Sequence, residues 1–362
     1  MRSFAALLIL LAGAAVSLAA DRPWLVRHFF LLDSYLPPSA ALLVVLRLVP
    51  LLAAAGLAAA VWKLRAPAVV RIGAAALCAL PVSELLLRHL ESQRSEERRT
   101  LQARMGEPHP LYGWIFRPNS APAIRSGERT VRLAFDAEGS RVPALGACPD
   151  PVRPSLLVAG ESIAMGHGLD WDETFAAIAA SDLGLQAVNL AVNGYGIDQA
   201  WLRLTNLLPR YRDVRAAVMV VLPLMLGRNL IDDHPRLTEG FEVLPPSGSG
   251  LRLRSLFVNQ IPYRSEADIA GSARLTRALL LDVARRTRTA LFLVPSPGPD
   301  RPLEAHSEAQ LLHQLFDGSG LRWALVDLDE SDRWDGHPNE RGARKLAAAV
   351  ESALRESIAS VR

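Results

Sequence analysis

The sequence predicts an α/β domain built on a parallel β-sheet and preceded by an apolar N-terminal region. From Ser155 onward, apolar runs of strand length such as "SLLVAG" and "ALFLVPSP" alternate with helical stretches. The runs are apolar throughout rather than at every second residue, which is typical of parallel strands that helices cover on both faces. The first 90 residues are much richer in apolar residues than the rest, which indicates membrane helices.

The N-terminal region, residues 1–88, contains three apolar stretches. Residues 4–20 carry no charge over 17 positions, which nearly suffices to cross a bilayer core of about 30 Å. Arg2 precedes this stretch and "SLAA" ends it, so it is either a retained span or a cleaved signal peptide. Residues 39–62 form the second stretch and residues 66–87 a third, weaker one. We predict two to three transmembrane helices; a buried helical hairpin is the alternative for the last two.

The orientation follows from Lys63 and Arg65 in the short loop "KLRAP", because short cytoplasmic loops carry an excess of Lys and Arg. With this loop in the cytoplasm, the C-terminal two-thirds of the chain lies outside it, on the periplasmic or outer face. A cleaved signal peptide leads to the same placement. The sequence therefore predicts an extracytoplasmic domain held at a membrane.

Three further parts follow the N-terminal region. Residues 89–107 are charged throughout and predict a solvated helical stalk. Residues 108–150 contain short β-rich pieces with Gly and Asn-Ser turns, which predict a small strand-rich lead-in. Residues 151–362 carry the alternating pattern of the α/β domain.

Composition argues against several functional classes. The net charge is +3, and no basic run is interleaved with aromatic residues, so a nucleic-acid partner is not expected. The two cysteines, Cys78 and Cys148, predict neither a disulfide nor a zinc site. Glu304, His306 and His313 share a helical stretch without a tight ligand spacing, and no Gly-rich phosphate loop is present. We expect neither a metal nor a cofactor.

The first candidate for chemistry is Ser162, in "LLVAGESIAM", residues 156–165. It directly follows an apolar run, and open parallel sheets place their sites at the carboxyl ends of strands. Ala164 stands where the Gly-x-Ser-x-Gly elbow of α/β-hydrolases has its second glycine, so that family is disfavoured. A turn or helix-cap serine has the same surroundings, and Ser162 alone does not indicate catalysis.

The C-terminal stretch "DRWDGHPNERGARKLA" supplies the groups that a nucleophilic serine needs. A serine hydroxyl requires a neighbouring base, and histidine takes up a proton near neutral pH. A carboxylate orients the imidazole and stabilises its charged form. Asp335 and His337 are two residues apart on one loop and offer both groups. The plainer alternative is a surface histidine, with Pro338 and Asn339 marking a helix start.

Two further strand ends carry groups that suit an oxyanion hole. "NLAVNGYG" ends a run at Gly194, where a glycine lets its N–H approach a ligand closely. "LPLMLGRNL" ends another at Asn229, whose side-chain amide is a second donor. Each such donor stabilises the transition state by about 3 kcal/mol. Taken singly, each residue is equally typical of a turn.

Together these four pieces resemble the blocks of the SGNH superfamily, the GDSL-type serine hydrolases. The matching stretches are Gly160-Glu161-Ser162, Gly194, Gly227-Arg228-Asn229-Leu230 and Asp335-Gly336-His337. The resemblance implies a flavodoxin-like, three-layer α/β/α fold. It also implies Ser162 as nucleophile, His337 as base and Asp335 as its partner. The oxyanion hole would come from the N–H groups of Ser162 and Gly194 and the Asn229 amide.

The sequence departs from this pattern at three places. Glu161 stands where the family has an aspartate, and Leu230 replaces the aspartate after Asn229. The last block is Asp-x-His rather than Asp-x-x-His, as in some members that act on exopolysaccharides. Asp332 is a rival for the acid role, with a less suitable spacing.

These residues lead to three hypotheses of function. The favoured one is a membrane-anchored serine esterase that cleaves a carboxylic ester, with an O-acetyl group on a cell-envelope or secreted glycan as a candidate substrate. The second is an O-acyltransferase that uses the same acyl-serine. The third, motivated by Glu161 and Leu230, is a catalytically degenerate domain that binds a glycan or a partner protein.

Overall fold

The computed structural model describes residues 2–19, 40–63, 105–126, 129–230, 234–246, 266–296, 311–334 and 336–359. The chain divides into two compact units. One comprises residues 1–96 with 249–264, and the other comprises residues 97–248 with 265–362. All of the candidate site residues belong to the second unit.

The first unit contains two helices, α1 (Arg2–Ala19) and α2 (Ala40–Lys63). Large apolar side chains are exposed along both, among them Leu18 and Trp62. Across the part of the chain that the structure describes, no helix is both long enough and apolar enough to cross a membrane. The transmembrane helices that we predicted in the first two apolar stretches are therefore not found there.

Two of the predicted segments fall largely outside the described residues. These are the third apolar stretch, residues 66–87, and nearly all of the predicted stalk, residues 89–107. The described chain resumes at Met105 and enters a hairpin of β1 (Gly106–His109) and β2 (Gly113–Phe116). A second hairpin pairs β3 (Ala123–Ser126) with β4 (Arg129–Arg132). Both hairpins lie in or next to the predicted strand-rich lead-in.

A five-stranded parallel sheet forms the centre of the second unit. Its strands are β5 (Ser155–Ala159), β6 (Gln186–Asn189), β7 (Val214–Val220), β10 (Ala290–Ser296) and β11 (Trp323–Asp327). Between β7 and β10 the chain forms a separate antiparallel pair, β8 (Arg236–Leu237) and β9 (Val243–Leu244). The sheet order is β11-β10-β7-β5-β6, and every neighbouring pair is parallel. This is the flavodoxin-like order 2-1-3-4-5. The mixed α/β class and the parallel sheet are thus confirmed.

Four of the six helices that the structure describes in the second unit pack on the sheet in two pairs. The six are α3 (Ser162–Met165), α4 (Phe175–Asp182), α5 (Ile197–Leu207), α6 (Pro223–Arg228), α7 (Glu266–Arg286) and α8 (Glu340–Ala359). Helix α4 packs on α8, and α5 packs on α7. Strand β5 is buried along its whole length, as expected of a central parallel strand.

The strand order locates the crevice in which such folds bind ligands. Strand β5 is followed in the chain by β6 on one side and then by β7 on the other. At this switch point the connections leave the sheet in opposite directions and open a crevice beyond the carboxyl ends of the strands. Ser162 lies three residues beyond the end of β5, which places it at this edge of the sheet.

Candidate active site

A tight turn between β5 and α3 presents Ser162. Gly160, in this turn, has φ +142°, and a Cβ on it would lie 2.9 Å from the Ala164 Cβ and 3.1 Å from the Val220 Cβ. Both the backbone conformation and the close approach to β7 therefore require glycine here. The turn places Ser162 as the first residue of α3, half-buried and reachable from solvent.

Glu161 is the buried neighbour of this serine. It is 2% exposed, and its Oε1 accepts a hydrogen bond from the Ile163 N–H at 2.7 Å, which caps α3. Its other oxygen, Oε2, accepts a hydrogen bond from the Ser162 hydroxyl. The Arg228 Nη1 lies 4.0 Å from that same oxygen. The glutamate thus contacts the serine hydroxyl directly.

His337 reaches Ser162 from the other end of the chain. It lies on a short hairpin in which β12 (Arg333–Trp334) pairs with β13 (His337–Pro338), so that Trp334 stands opposite His337. The His337 Nε2 is 2.9 Å from the Ser162 Oγ, although 175 residues separate the two in sequence. Asp335, which we predicted as the acid, lies outside the described residues, and its role stays a prediction.

Asp332, the rival acid, is engaged elsewhere. It is fully buried, and its Oδ2 lies 2.5 Å from the Lys345 Nζ, while its Oδ1 lies 3.0 Å from the Arg341 Nε. Both cations belong to α8. Asp332 therefore joins the start of the hairpin to α8 rather than serving the imidazole of His337.

Arg129, on β4, connects the lead-in to the same hairpin. Its Nη2 donates to the Glu173 carboxylate at 2.9 Å, and its Nη1 donates to Glu340 at the start of α8. Its guanidinium also lies over the Trp334 ring, 5.1 Å from the ring centroid. Since Trp334 is the hairpin partner of His337, Arg129 helps to hold the hairpin that carries the histidine.

The structure adds a second histidine, His167, that we did not predict for the site. Its ring centroid lies 4.6 Å from that of His337, and its Nδ1 lies 3.2 Å from the Asn193 Nδ2. Burial, followed by the neighbouring His337, lowers the pKa of His167 to about 4. His167 is therefore neutral near pH 7 and adds no positive charge beside His337. The stretch "GHGLD" is ordinary in composition, so its place in the site was not evident from sequence.

A buried arginine holds the segment that carries His167. Arg141 is 1% exposed, and its Nη1 donates to the carbonyl oxygens of Met165 and Gly166, both at 2.7 Å. Its Nη2 donates to the Leu169 carbonyl at 2.5 Å. Burial lowers the pKa of Arg141 to about 10, so the guanidinium remains charged at neutral pH.

Gly194 lies at the carboxyl side of β6, as the sequence pattern predicted. It has φ +82°, and the Trp114 Nε1 fixes its loop by donating to the Asn193 carbonyl at 3.0 Å. Neither the Gly194 N–H nor the Ser162 N–H has a backbone acceptor among the described residues. The two N–H groups are therefore the candidate donors to a substrate oxygen.

Asn229, our predicted third donor, makes its hydrogen bonds elsewhere. Its Oδ1 accepts from the Asp198 N–H at 3.2 Å, and its Nδ2 donates to the Thr276 Oγ1 at 3.1 Å. It is 2% exposed, which leaves almost no surface for a substrate. In this structure the Asn229 side chain joins the start of α5 to α7.

In comparisons with known proteins, this chain is similar to solved structures. No family model matches the chain, and no curated protein matches it. An acetyl xylan esterase from the rumen bacterium Butyrivibrio proteoclasticus is similar over 58% of this chain and 65% of its own, at 12% identity and a TM-score of 0.34. A lipolytic protein of the G-D-S-L family from Desulfitobacterium hafniense is similar over 55% of this chain and 99% of its own, at 9% identity and a TM-score of 0.35.

A salicylyl-acyltransferase from a tetracycline biosynthetic pathway is also similar. The likeness covers 58% of this chain and 55% of that one, at 18% identity and a TM-score of 0.28. This chain thus spans less than two-thirds of both the acyltransferase and the acetyl xylan esterase. At these TM-scores the likenesses do not themselves assign an activity, and the case for one comes from the site.

Proposed function

We propose that this chain is a serine esterase of the SGNH type, which cleaves carboxylic esters through an acyl-Ser162 intermediate. The observation that carries the proposal is the 2.9 Å separation of the Ser162 Oγ and the His337 Nε2 at the carboxyl end of β5. A nucleophile and a base within hydrogen-bond reach are what the activation of a serine requires.

Acylation begins with attack of the Ser162 Oγ on the ester carbonyl carbon. As the new C–O bond forms, the hydroxyl proton passes to the His337 Nε2, and the carbonyl π electrons move onto the oxygen. The N–H groups of Ser162 and Gly194 stabilise this oxyanion. Collapse of the tetrahedral intermediate restores the C=O bond and expels the alcohol oxygen, which takes the proton from His337.

Deacylation repeats these steps with water. His337 takes a proton from a water molecule as its oxygen attacks the acyl carbon. The second intermediate collapses, the Ser162 Oγ leaves with the proton from His337, and the carboxylic acid is released. Asp335, two residues before His337, is our proposed partner for the imidazolium that forms in each half-reaction.

We propose an acyl ester of a glycan as the substrate class, with acetyl as the candidate acyl group. Ser162, His167, Asn193 and His337 are all partly exposed, so the proposed nucleophile can be reached from solvent. The polar groups beside Ser162 suit the hydroxyl groups of a sugar, which need hydrogen-bond partners when they leave water. The acetylated sugar itself is to be identified by activity assays.

A serine-reactive fluorophosphonate probe tests the proposed nucleophile. The wild-type chain should label, and Ser162→Ala should not; His337→Gln should label at least about a hundredfold more slowly, because it lacks the base. Ser331→Ala is a matched control on the exposed turn before the hairpin. Equal labelling of the wild type and Ser162→Ala would refute the nucleophile.

The same site supports an O-acyltransferase as a second candidate function. Its partial exposure admits an acceptor hydroxyl in place of water, and both reactions share the acyl-serine. Product analysis with and without a glycan acceptor separates the two, since only a transferase yields an acylated glycan. The third hypothesis, a degenerate binding domain, requires that Ser162→Ala leave the cellular phenotype unchanged.

We also propose that the second unit works outside the cytoplasm, held at a membrane by the first. The apolar side chains exposed along α1 and α2 support membrane association, as does the basic loop after α2. Alkaline phosphatase fused to the C-terminus should be active in cells if this placement is right. An inactive fusion enzyme that is nevertheless produced at full length would contradict it.

A further inference from the structure

We propose that His167 binds the alcohol part of the ester substrate, by donating its Nε2–H to an oxygen on the carbon next to the esterified one. The inference rests on the proposed esterase function and names the class of alcohol that the site prefers. Such an alcohol carries oxygens on neighbouring carbons, as sugars do. Three contacts of His167 place it in the site, and one of them determines which ring nitrogen carries the proton.

His167 contacts several parts of the proposed site. Its backbone N–H donates to the Ser162 carbonyl at 2.9 Å, which fixes it next to the turn that carries the nucleophile. Its ring centroid lies 4.6 Å from that of His337. Its Nδ1 lies 3.2 Å from the Nδ2 of Asn193, the residue before Gly194. The His167 ring therefore lies beside both the base and the backbone segment that carries an oxyanion donor.

The contact with Asn193 places the proton of the neutral His167 ring on Nε2. An amide nitrogen only donates, so the His167 Nδ1 accepts, and the ring hydrogen is on the other nitrogen. Turning the Asn193 amide round would reverse these roles. The Asn193 Oδ1 is buried and has no hydrogen-bond partner among the described residues, so the reversed amide would bury two unpaired N–H donors there in place of one acceptor. The amide orientation in the structure is therefore the less costly one.

The Nε2–H of His167 is accessible to a ligand. The His167 Nε2 makes no hydrogen bond to the residues that the structure describes, and protein atoms do not enclose it. Because burial and the neighbouring His337 lower the pKa of His167 to about 4, the ring stays neutral at the pH at which His337 acts as a base. His167 thus offers a substrate one neutral N–H donor.

The contact between the two imidazole rings indicates which part of the ester His167 meets. In the proposed mechanism the His337 Nε2 takes the proton of Ser162 and then gives it to the leaving alcohol oxygen, which must come within hydrogen-bond reach of it. A ring that packs on His337 therefore lies near the carbons attached to that oxygen. An oxygen on the next carbon can accept the His167 Nε2–H, whereas a simple alkyl alcohol has no acceptor there.

Two acetate esters of the same shape test the assignment on the full chain. 2-Methoxyethyl acetate has an ether oxygen where butyl acetate has a methylene group, and an ether oxygen only accepts. For each enzyme, kcat/KM with the first ester is divided by kcat/KM with the second. We expect His167→Phe to lower this ratio about three- to tenfold relative to the wild type, because phenylalanine keeps a ring beside His337 but has no donor. Comparing the two enzymes cancels the intrinsic reactivities of the esters.

Two further variants accompany this measurement. His167→Gln places an amide nitrogen near the position of the Nε2, so its ratio should lie between those of the wild type and His167→Phe. His313→Gln, at a largely exposed histidine, is the matched control and should keep the wild-type ratio. An unchanged ratio in His167→Phe would overturn the role of His167, and so would an equal loss in His313→Gln.

Nitrogen-15 NMR of the Ser162→Ala chain tests the same contact with His167 in place, and it decides the matter if His167→Phe does not fold. The shifts of the ring nitrogens should show the His167 proton on Nε2. Adding 2-methoxyethyl acetate should move the Nε2–H resonance, and butyl acetate should not, because only the first ester accepts a hydrogen bond there. A proton on Nδ1, or an equal response to both esters, would contradict the proposal.

The two proposals fail separately. If Ser162→Ala is inactive on both esters while His167→Phe keeps the wild-type ratio, the esterase function stands and the role of His167 in binding the alcohol is wrong. If Ser162→Ala hydrolyses both esters as fast as the wild type, the nucleophile itself is wrong.

Discussion

The Ser162 hydroxyl donates a hydrogen bond to Glu161, the residue immediately before it, while the same oxygen lies within reach of the His337 Nε2. A hydroxyl has one proton, and the two groups are both able to accept it. Catalysis by our proposed mechanism requires the proton to face His337. Glu161 therefore competes with the base for the proton of the nucleophile.

Glu161→Asp is expected to accelerate acylation. The shorter side chain draws the carboxylate back by one methylene, so that His337 becomes the favoured acceptor. A hydrogen bond contributes about 0.5–1.5 kcal/mol net, which corresponds to a roughly two- to tenfold faster labelling by a fluorophosphonate. Rapid-quench labelling measures this rate. A drop of tenfold or more would instead mean that Glu161 holds Ser162 in its reactive orientation.

His167 should make the stability of the second unit depend on pH. Its pKa is lowered to about 4 in the folded chain, chiefly by burial, while the unfolded chain has the ordinary value of about 6.5. Above pH 6.5 both states are neutral at this residue and it contributes no pH dependence. Between pH 6.5 and 4 the unfolded state takes up the proton first, so the free energy of unfolding falls as the pH falls.

The measurement is urea unfolding at pH 7 and pH 5. From pH 7 to pH 5 the wild type should lose up to about 2 kcal/mol more than His167→Gln, from about 1.4 kcal/mol per pH unit below 6.5. His313→Gln, at a largely exposed histidine, serves as the control and should behave like the wild type. Identical losses for all three chains would show that His167 is not the titrating group.

Arg141→Met is expected to destabilise the second unit by at least about 3 kcal/mol, because three buried carbonyl oxygens lose a charged donor. Arg210→Met removes an arginine of similar size from the surface and should change the free energy of unfolding by less than about 0.5 kcal/mol. Chemical denaturation monitored by tryptophan fluorescence compares the two. Equal stability of the two variants would mean that the carbonyls find other donors.

Arg129→Gln should lower kcat/KM by roughly tenfold while changing the melting temperature little. The side chain is 31% exposed, so its ion pairs with Glu173 and Glu340 stabilise the fold only modestly. Its position over Trp334, however, restrains the hairpin that carries His337, and small displacements of a catalytic base reduce rates strongly. An ester hydrolysis assay and a thermal melt on one preparation test both halves of this expectation. Unchanged activity would exclude a positioning role.

The parallel sheet could be predicted from the sequence because each of its strands has a pattern confined to a few consecutive residues. Each parallel strand is a short, continuously apolar run between helical stretches, and the position of Ser162 after the first of them follows from the chain itself. The stretch from Asp335 to His337 could also be identified from sequence, because an aspartate and a histidine are the groups that a nucleophilic serine needs. What the pattern predicted well was therefore the parallel sheet; the structure also brings Ser162 and His337 together, while their catalytic roles stay predictions.

The remaining features of the site depend on contacts between distant segments. His167 gains its place only when α3 brings it beside the His337 ring. Arg228 and Asn229 are neighbours in the chain, and the sequence does not show that the Asn229 side chain is buried while that of Arg228 is partly exposed. The cations that pair with Asp332 lie on α8, so its ion pairs away from His337 could not be seen without the packing of that helix. The transmembrane helices were predicted from apolar content alone, and none of the described helices is long and apolar enough to cross a membrane.

Arg129 and Arg141 both precede residue 151, yet one supports the His337 hairpin and the other supports the loop behind the nucleophile. Arg203, from α5, reaches in the opposite direction and donates to the Glu138 carbonyl at 2.7 Å. A fragment that begins at β5 would keep Ser162 and His337 but would lack Arg129 and Arg141, which support the segments around them. A fragment meant to retain the proposed activity should therefore begin upstream of Arg129, and any attempt to express or transplant the site should carry that segment with it.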